Sequence, residues 1–414
     1  MTAGAKAPGN STVGRAPRAA RRKAIDMAES NRLHSINSSR ILRTIWLNPG
    51  VSRIKVAEML DLDRSTVTKI MQVIMKRGLV VSAGKSTEQS GVGRRQISLL
   101  VNGDIGVVLG IEIQNSRYRA VVTSLSGAVL HSFAQAKQTV GDDLVPTLVS
   151  VIRQAKRYVT REGLFLLGIG VGLPGIVDPY GGVVLRSNPL KISEPLDVRE
   201  RLERLFEEHV FLENDANCCC WGELAFRPES RNRNFLSVLG EFRHLEQGSD
   251  EYHGLAVGIG LVIRERVLHG DHFTAGEYRS PLANRSTGQF VIPWSDVRKL
   301  PEDTEVLRRV YAELTANLAF LVNCVDFTKI LFAGDLASRR ENLAESMAAA
   351  IEENWIYDLE RQFVIEFSAS GDDAVCIGAA GLFVEKLFSV PDVADRFQEL
   401  VGYDLFETIL ERRG

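Results

Sequence analysis

Between residues 52 and 76, apolar side chains recur at helical spacing in two short runs split by a polar break. Val56, Ala57 and Leu60 form a stripe on the first run, and Val67, Ile70, Met71 and Ile74 form one on the second. Two short helices are predicted, with Ala57 small where they would cross. Ser52 stands where a side-chain oxygen can cap the first helix, and Asp63 where a carboxylate can cap the second. Ile41, Leu42, Ile45 and Trp46 predict a preceding helix over residues 36–47, stopped by Asn48-Pro49-Gly50. After Gly78 the period changes: residues 79–81 and 96–101 read as strands around the Gly/Ser-rich segment 83–93. Beyond residue 105 strands and helices alternate. Strands are predicted at 106–112, 118–123, 129–134, 166–172, 210–212, 235–239, 254–263 and 329–334, and helices at 144–158, 198–208, 306–325 and 374–387. That order predicts two α/β lobes with a cleft at the strand ends. Val393, Phe397, Leu400 and Val401 predict a short amphipathic helix in the tail.

Three helices followed by a β-ribbon form a winged helix-turn-helix. In that motif the second helix of the pair enters the DNA major groove by its N-terminal end. Arg64, Ser65, Thr66, Thr68 and Lys69 fall on the outer face of that helix, where hydroxyl and cationic groups reach phosphates and base edges. Ser52 and Arg53 open the first helix beside them, and Arg94 and Arg95 sit at the base of the ribbon. The alternative, a plain αα-hairpin with solvated charges, does not explain the flanking helix and ribbon. Charge follows the same boundary. Residues 1–30 carry a net +4 and residues 31–104 a net +7, which leaves about −13 for residues 105–414 within a total of −2. A basic front and an acidic body suit a DNA-binding module joined to a part that should not stick to DNA.

At 414 residues, 45% apolar and 25% charged, the chain has room for two or three domains with sizeable cores. Cys218, Cys219 and Cys220 are adjacent, and Cys324 and Cys376 stand apart, so neither a disulfide framework nor a Cys-x-x-Cys metal pattern is present. Buried thiols in a reducing cytoplasm are expected. No apolar run reaches membrane-spanning length, so a cytoplasmic protein without a membrane partner is expected. Residues 1–30, rich in Ala, Gly, Pro and Arg, read as a disordered basic arm rather than a signal peptide.

In the body, Gly170 to Asp178 (GVGLPGIVD), Glu213-Asn214-Asp215-Ala216-Asn217 and Ala275-Gly276-Glu277 stand in an order that resembles the ROK family. That family comprises repressors, open reading frames and sugar kinases on a two-lobed actin-like ATPase fold. With the helix-turn-helix in front, the resemblance to its transcriptional repressors covers about nine-tenths of the chain. It implies an α/β fold divided as follows: a winged helix-turn-helix at 31–104, a first lobe at 105–228 completed by helix 374–388, a second, dimerising lobe at 229–373, and a helical tail at 389–414. In the family's kinases the aspartate of Asn-Asp-Ala-Asn is the general base on the sugar hydroxyl. The resemblance therefore places Asp215 there, Asn214 as a sugar-binding neighbour, and Asn188 and Glu277 at two further sugar contacts. A carboxylate at a strand end can accept a hydroxyl proton, although capping the next helix is the alternative role for Asp215.

Two family features are absent. Kinases of the family open with an Asp-x-Gly-Gly-Thr type loop, whose glycines let backbone N–H groups approach phosphate. Here Glu112 to Arg117 (EIQNSR) stands instead, and Ala333-Gly334-Asp335 replaces a glycine-rich run on the adenosine side. The family's zinc-binding histidine and Cys-x-Cys-Gly-x-x-Gly-Cys loop are missing too: Glu277 is followed by Tyr278-Arg279-Ser280, with no cysteine between Cys220 and Cys324. No catalytic residue, metal or cofactor is expected. Arg279 either favours an acidic or phosphorylated ligand or lies on the surface, and Cys218 to Cys220 read as packing residues. The expectation is a homodimeric repressor of carbohydrate-metabolism genes that binds double-stranded operator DNA and senses a sugar or sugar-phosphate effector. The alternatives are a ROK sugar kinase with an accessory DNA-binding domain, and a regulator that needs no effector.

Overall fold

The computed structural model describes residues 18–85, 97–227, 234–243, 254–283, 288–340, 342–392 and 399–413. The chain divides into two compact units, Met1–Leu100 and Val101–Gly414.

The first unit opens with α1 (Arg18–Leu47), followed by α2 (Arg53–Leu60), α3 (Arg64–Lys76) and a two-stranded sheet of β1 (Val80–Lys85) and β2 (Ile97–Val101). Residues 18–30 are helical, against the expectation of a disordered arm. Arg18 to Leu47 contains no Gly or Pro, and its Ala, Arg, Lys, Met and Glu content favours helix. Residues 1–17 of that arm lie outside the described residues. The apolar stripes meet as predicted: Ile41, Leu42 and Ile45 of α1 are buried with Val56 and Ala57 of α2, and with Val67, Ile70, Met71 and Ile74 of α3. Leu99 closes the core from β2, exchanging backbone hydrogen bonds with Gly50 and Val51.

The second unit holds two lobes. The first contains β3 (Val107–Ile113), β4 (Arg117–Thr123), β5 (Val129–Ala136), α4 (Leu144–Arg161), β6 (Leu166–Leu173), β7 (Ile176–Asp178), β8 (Val183–Arg186), β9 (Leu196–Asp197), α5 (Val198–Glu203), β10 (His209–Asn214) and α6 (Asp215–Phe226). The second contains β11 (Phe235–Arg243), β12 (Gly254–Ile263), β13 (Arg266–Val267), α7 (Trp294–Val297), α8 (Thr304–Val325), β14 (Lys329–Gly334), α9 (Asp335–Ser338), α10 (Leu343–Glu353) and β15 (Val364–Phe367). The chain then runs into α11 (Ala374–Phe388) and α12 (Gly402–Glu411).

Among the described residues each lobe carries a five-stranded sheet, in the orders β10-β6-β3-β4-β5 and β13-β12-β11-β14-β15. The two sheets have one topology. A three-strand antiparallel meander leads in each, and two parallel strands join the first strand on its other side. The parallel strands β3 and β6 are buried along their whole length, which is why they read as unbroken apolar runs. α11 packs on β3, β6 and α6. Its small residues permit that approach: a Cβ on Gly378 would lie 2.0 Å from the Cys218 carbonyl oxygen, and one on Gly170 would lie 1.8 Å from that of Ala379.

One helix expectation shifts. α5 stops at Glu203, because its carboxylate accepts from Val210 N at 3.0 Å and residues 204–206 turn back onto the Glu200 and Leu202 carbonyls. A tail helix, α12, lies at Gly402–Glu411, whereas the helix expected from Val393, Phe397, Leu400 and Val401 falls mostly outside the described residues. Tyr403, Leu405, Phe406 and Ile409 supply the buried stripe of α12, and Phe406 packs edge-on to Phe388.

Candidate functional site

In the first unit, α3 presents Arg64, Ser65, Thr68 and Lys69 to solvent, with Thr66 half-buried beside them. Four buried apolar residues hold the opposite face of this helix, so its polar face is fixed in direction. Gln72 and Lys76 continue the exposed face at helical spacing, a signal in the sequence that was overlooked. One of the two expected caps forms. Ser52 caps α2, its hydroxyl oxygen accepting from Lys55 N at 3.2 Å, and is thereby buried. Asp63 makes no such bond: it is exposed, and at φ −57° and ψ 135° its carboxylate does not meet the α3 N–H groups. Arg53 folds back so that a guanidinium N–H reaches Met75 Sδ at 3.0 Å. The structure therefore groups Arg64, Ser65, Thr68 and Lys69 on one surface and turns Ser52 and Arg53 inward. Arg94 and Arg95 lie outside the described residues.

In the second unit, Asn188, Asn214, Asp215 and Glu277 line one cavity of about 180 Å³, together with Gly175, Arg186, Glu241, Val257, Gly258 and Gln289. Seven separate stretches of chain converge there. The β10–α6 junction delivers Asn214 and Asp215. Asn214 is the N-cap of α6: its side-chain oxygen accepts from Ala216 N at 2.9 Å and Asn217 N at 3.2 Å, and its Nδ2 donates to the Gly175 carbonyl at 3.0 Å. Asn214 is thus the N-cap, while Asp215, in the first helical turn, also accepts from Ala216 N at 2.8 Å and lines the cavity. Gly276 takes φ +91°, and a Cβ there would sit 1.7 Å from the Ile259 carbonyl oxygen; only glycine allows the turn that bridges Glu277 to Gly258. Glu277 stands at the mouth, where desolvation raises its carboxyl above the ordinary value.

Behind the β10–α6 turn lies Glu213, fully buried. Its carboxylate accepts from Trp221 Nε1 and faces His269 Nε2, both at 2.8 Å, and also accepts from Asn217 Nδ2 and Asn214 N. Burial alone would raise its pKa, but His269 and these donors outweigh that and hold it low. This pair joins β10 of one lobe to the loop after β13 of the other and fixes the turn that carries Asp215. Its partners are 56 residues apart in sequence, and neither motif nor spacing marked His269.

The segment 112–117 is a closed hairpin. Gln114 N donates to Arg117 O, while the carbonyls of Asn115 and Ser116 accept from Thr139 N and Lys137 N. Gln114 Nε2 donates to Glu112 Oε1 at 2.6 Å and to Glu241 Oε1 in the second lobe, and Arg117 Nε donates to Gln114 Oε1 at 2.8 Å. Glu112 is buried, and desolvation, then the charge of Glu241, push it up to about 8. Asp335 accepts from Phe242 N at 2.7 Å, closing the other side of the strand ends. The hairpin thus makes its hydrogen bonds within itself, to residues 137–139 and to Glu241.

A zinc ion does not fit beside Glu277. Ser280 is buried with its backbone N–H donating to Gln289 O, residues 278–292 contain neither Cys nor His, and among the described residues no cluster could hold a metal ion. Arg279 is exposed and outside the cavity lining. Cys218, Cys219 and Cys220 are buried with their thiol pKa values raised by burial, as packing residues would be. Among the described residues no helix is long and apolar enough to cross a membrane.

A family model described as ROK family matches residues 108–278. A xylose repressor of Caldicellulosiruptor bescii is 28% identical over 256 residues, 61% of this chain and 59% of that one, so the chain spans well under two thirds of this relative's length. The crystal structure of a ROK family transcriptional regulator, a homolog of the E. coli MLC protein, superposes over 92% of this chain and 100% of its own at a TM-score of 0.70 and 20% identity. A ROK family glucokinase from Streptomyces griseus, in complex with glucose and AMPPNP, covers 67% of this chain and 99% of its own, with a TM-score of 0.53 and 18% identity. Residues 108–278 therefore match the ROK family model, within a two-lobed α/β fold like that of these solved structures.

Proposed function

We propose that the chain is a DNA-binding transcriptional repressor whose ROK body senses a small carbohydrate-like effector in the cavity around Asp215, and that it acts on carbohydrate-metabolism genes as a homodimer. The observation that carries this reading is the outward face of α3. Arg64, Ser65, Thr68 and Lys69 are exposed together on the second helix of a winged helix-turn-helix, within a basic segment of an otherwise acidic chain. The relative that is named a xylose repressor supports the same reading. A small ligand bound between the lobes would favour one lobe arrangement over another in proportion to its differential affinity, which is the form such sensing takes. The test is footprinting on genomic DNA with and without a panel of sugars. Discrete protected sites released by at least one sugar are expected; protection without sequence preference would overturn the reading.

A sugar kinase with an accessory DNA-binding domain is the second reading, favoured by Asp215 in a cavity of sugar-binding residue types. The closed hairpin at Gln114–Arg117 and the carboxyls of Glu112 and Glu241 argue against bound nucleotide phosphates. ATP-dependent phosphorylation of a hexose, abolished by Asp215→Asn, would reverse this ranking.

A further inference from the structure

The cavity around Asp215 is rich in hydrogen-bond acceptors and poor in donors. Its lining holds three carboxyls, Asp215, Glu241 and Glu277, and one guanidinium, Arg186, which is exposed. Two of the three lining amides, those of Gln289 and Asn214, donate inside the protein. Gln289 Nε2 donates to the Val257 and Tyr278 carbonyls at 2.7 and 2.8 Å, and Asn214 Nδ2 donates to Gly175 O. A fourth carboxyl, Glu112, lies behind Glu241 and shares Gln114 with it. Glu112 is 3% exposed, and among the described residues its Oε2 has no hydrogen-bond partner.

We propose that this cavity selects a ligand bearing hydroxyl or ammonium groups and no phosphate or carboxylate, with Glu241 as the residue that enforces the choice. The inference rests on the effector reading and narrows it to a chemical class. A hydroxyl brings a proton to each lining carboxylate, and an ammonium brings three. A phosphate monoester brings acceptors only, with close to two negative charges, into a space already facing three carboxyls. Glu241 is the decisive member because it lines the cavity and also reaches back to Gln114 and Arg117 of the other lobe. Its charge thus covers the side on which a phosphate loop would have stood. Burial first, and then the charge of Glu241, raise the pKa of Glu112, with Arg117 as the compensating cation.

The test is isothermal titration calorimetry on the full chain with D-xylose, D-glucose, D-glucosamine and N-acetyl-D-glucosamine, and with the 6-phosphates of the three hexoses. At least one parent sugar should bind, and its 6-phosphate should bind at least about tenfold more weakly. Glu241→Gln keeps the side-chain shape and removes the charge, so it should narrow that ratio; Asp215→Asn should weaken the parent sugar. A 6-phosphate that binds as tightly as its parent, or a ratio unchanged in Glu241→Gln, overturns the proposal and leaves the effector reading standing. No heat from any sugar or phosphate, in the wild type or either variant, removes the effector reading and this inference with it.

Discussion

Lys329 is completely buried, with its ammonium 2.6 Å from a Glu223 oxygen and 2.7 Å from one of Glu366. It ties α6 to β14 and β15. Removing one member of a buried ion group leaves its partners charged and desolvated, at about 3–5 kcal/mol. Lys329→Met should lower unfolding free energy by that order in urea titrations, and a change below about 1 kcal/mol would show that the group relaxes easily. Glu112 tests the cleft through pH. Its folded pKa, about 8, lies above the ordinary 4.5, so its contribution to stability is complete below about pH 4.5 and is lost as pH rises through 8. Glu241, Asp215 and Arg117 are the charges that face it. Thermal melts of Glu112→Gln should therefore flatten with pH between 5 and 9 relative to the parent chain and gain most at pH 9, on the order of a few kcal/mol. Parallel profiles would contradict the buried-carboxyl assignment. Glu213 has the opposite sign, since its pKa is held low and its contribution is lost toward acid. At this scale local chemistry made the Ser52 cap legible, and the motif resemblance named Asn188, Asn214, Asp215 and Glu277, which share a cavity. The Glu213–His269 and Gln114–Glu241 contacts were not, because they join residues 56 and 127 positions apart and depend on how two lobes meet.

Helices with a strong apolar stripe were readable at the level of elements; short or irregular pieces were not. α4 and α8 follow their periodicity closely, whereas the three-strand sheet of β7, β8 and β9 and the single turn of α9 carry too few residues to show a period. The shared topology of the two five-stranded sheets also escaped, since strand order is a long-range property that local patterns do not encode. The α6–α11 crossing is the element pair most exposed to mutation. Gly378→Ala puts a Cβ 2.0 Å from the Cys218 carbonyl, so backbone must move, and a loss of roughly 1–3 kcal/mol is expected by chemical denaturation. An unchanged midpoint would mean that the two helices are not in close contact. On α3, Lys69→Ala should weaken binding to all DNA sequences and reduce the slope of log affinity against log salt by about one. Arg53→Ala, whose side chain turns toward Met75, should leave that slope nearly unchanged.

On the scale of the whole molecule, charge separates the chain into a basic unit with an exposed helix face and an acidic two-lobed unit with a carboxyl-lined cavity. The motif order revealed this division because each unit has a local signature: a helix-turn-helix in one, and Glu213 to Asn217 with Ala275 to Glu277 in the other. What fills the cleft had no such signature. The contacts that tie Glu112, Gln114, Arg117 and Glu241 together need β3, β4 and β11 to meet, which no local pattern encodes. The central claim is that the chain reads a DNA sequence, and selection from a random duplex pool tests it most directly. The enriched site should bind at least about 10³-fold more tightly than bulk DNA at physiological salt, and Arg64→Ala with Lys69→Ala should abolish that preference. A pool with no enriched sequence, or a preference that survives both substitutions, would contradict it.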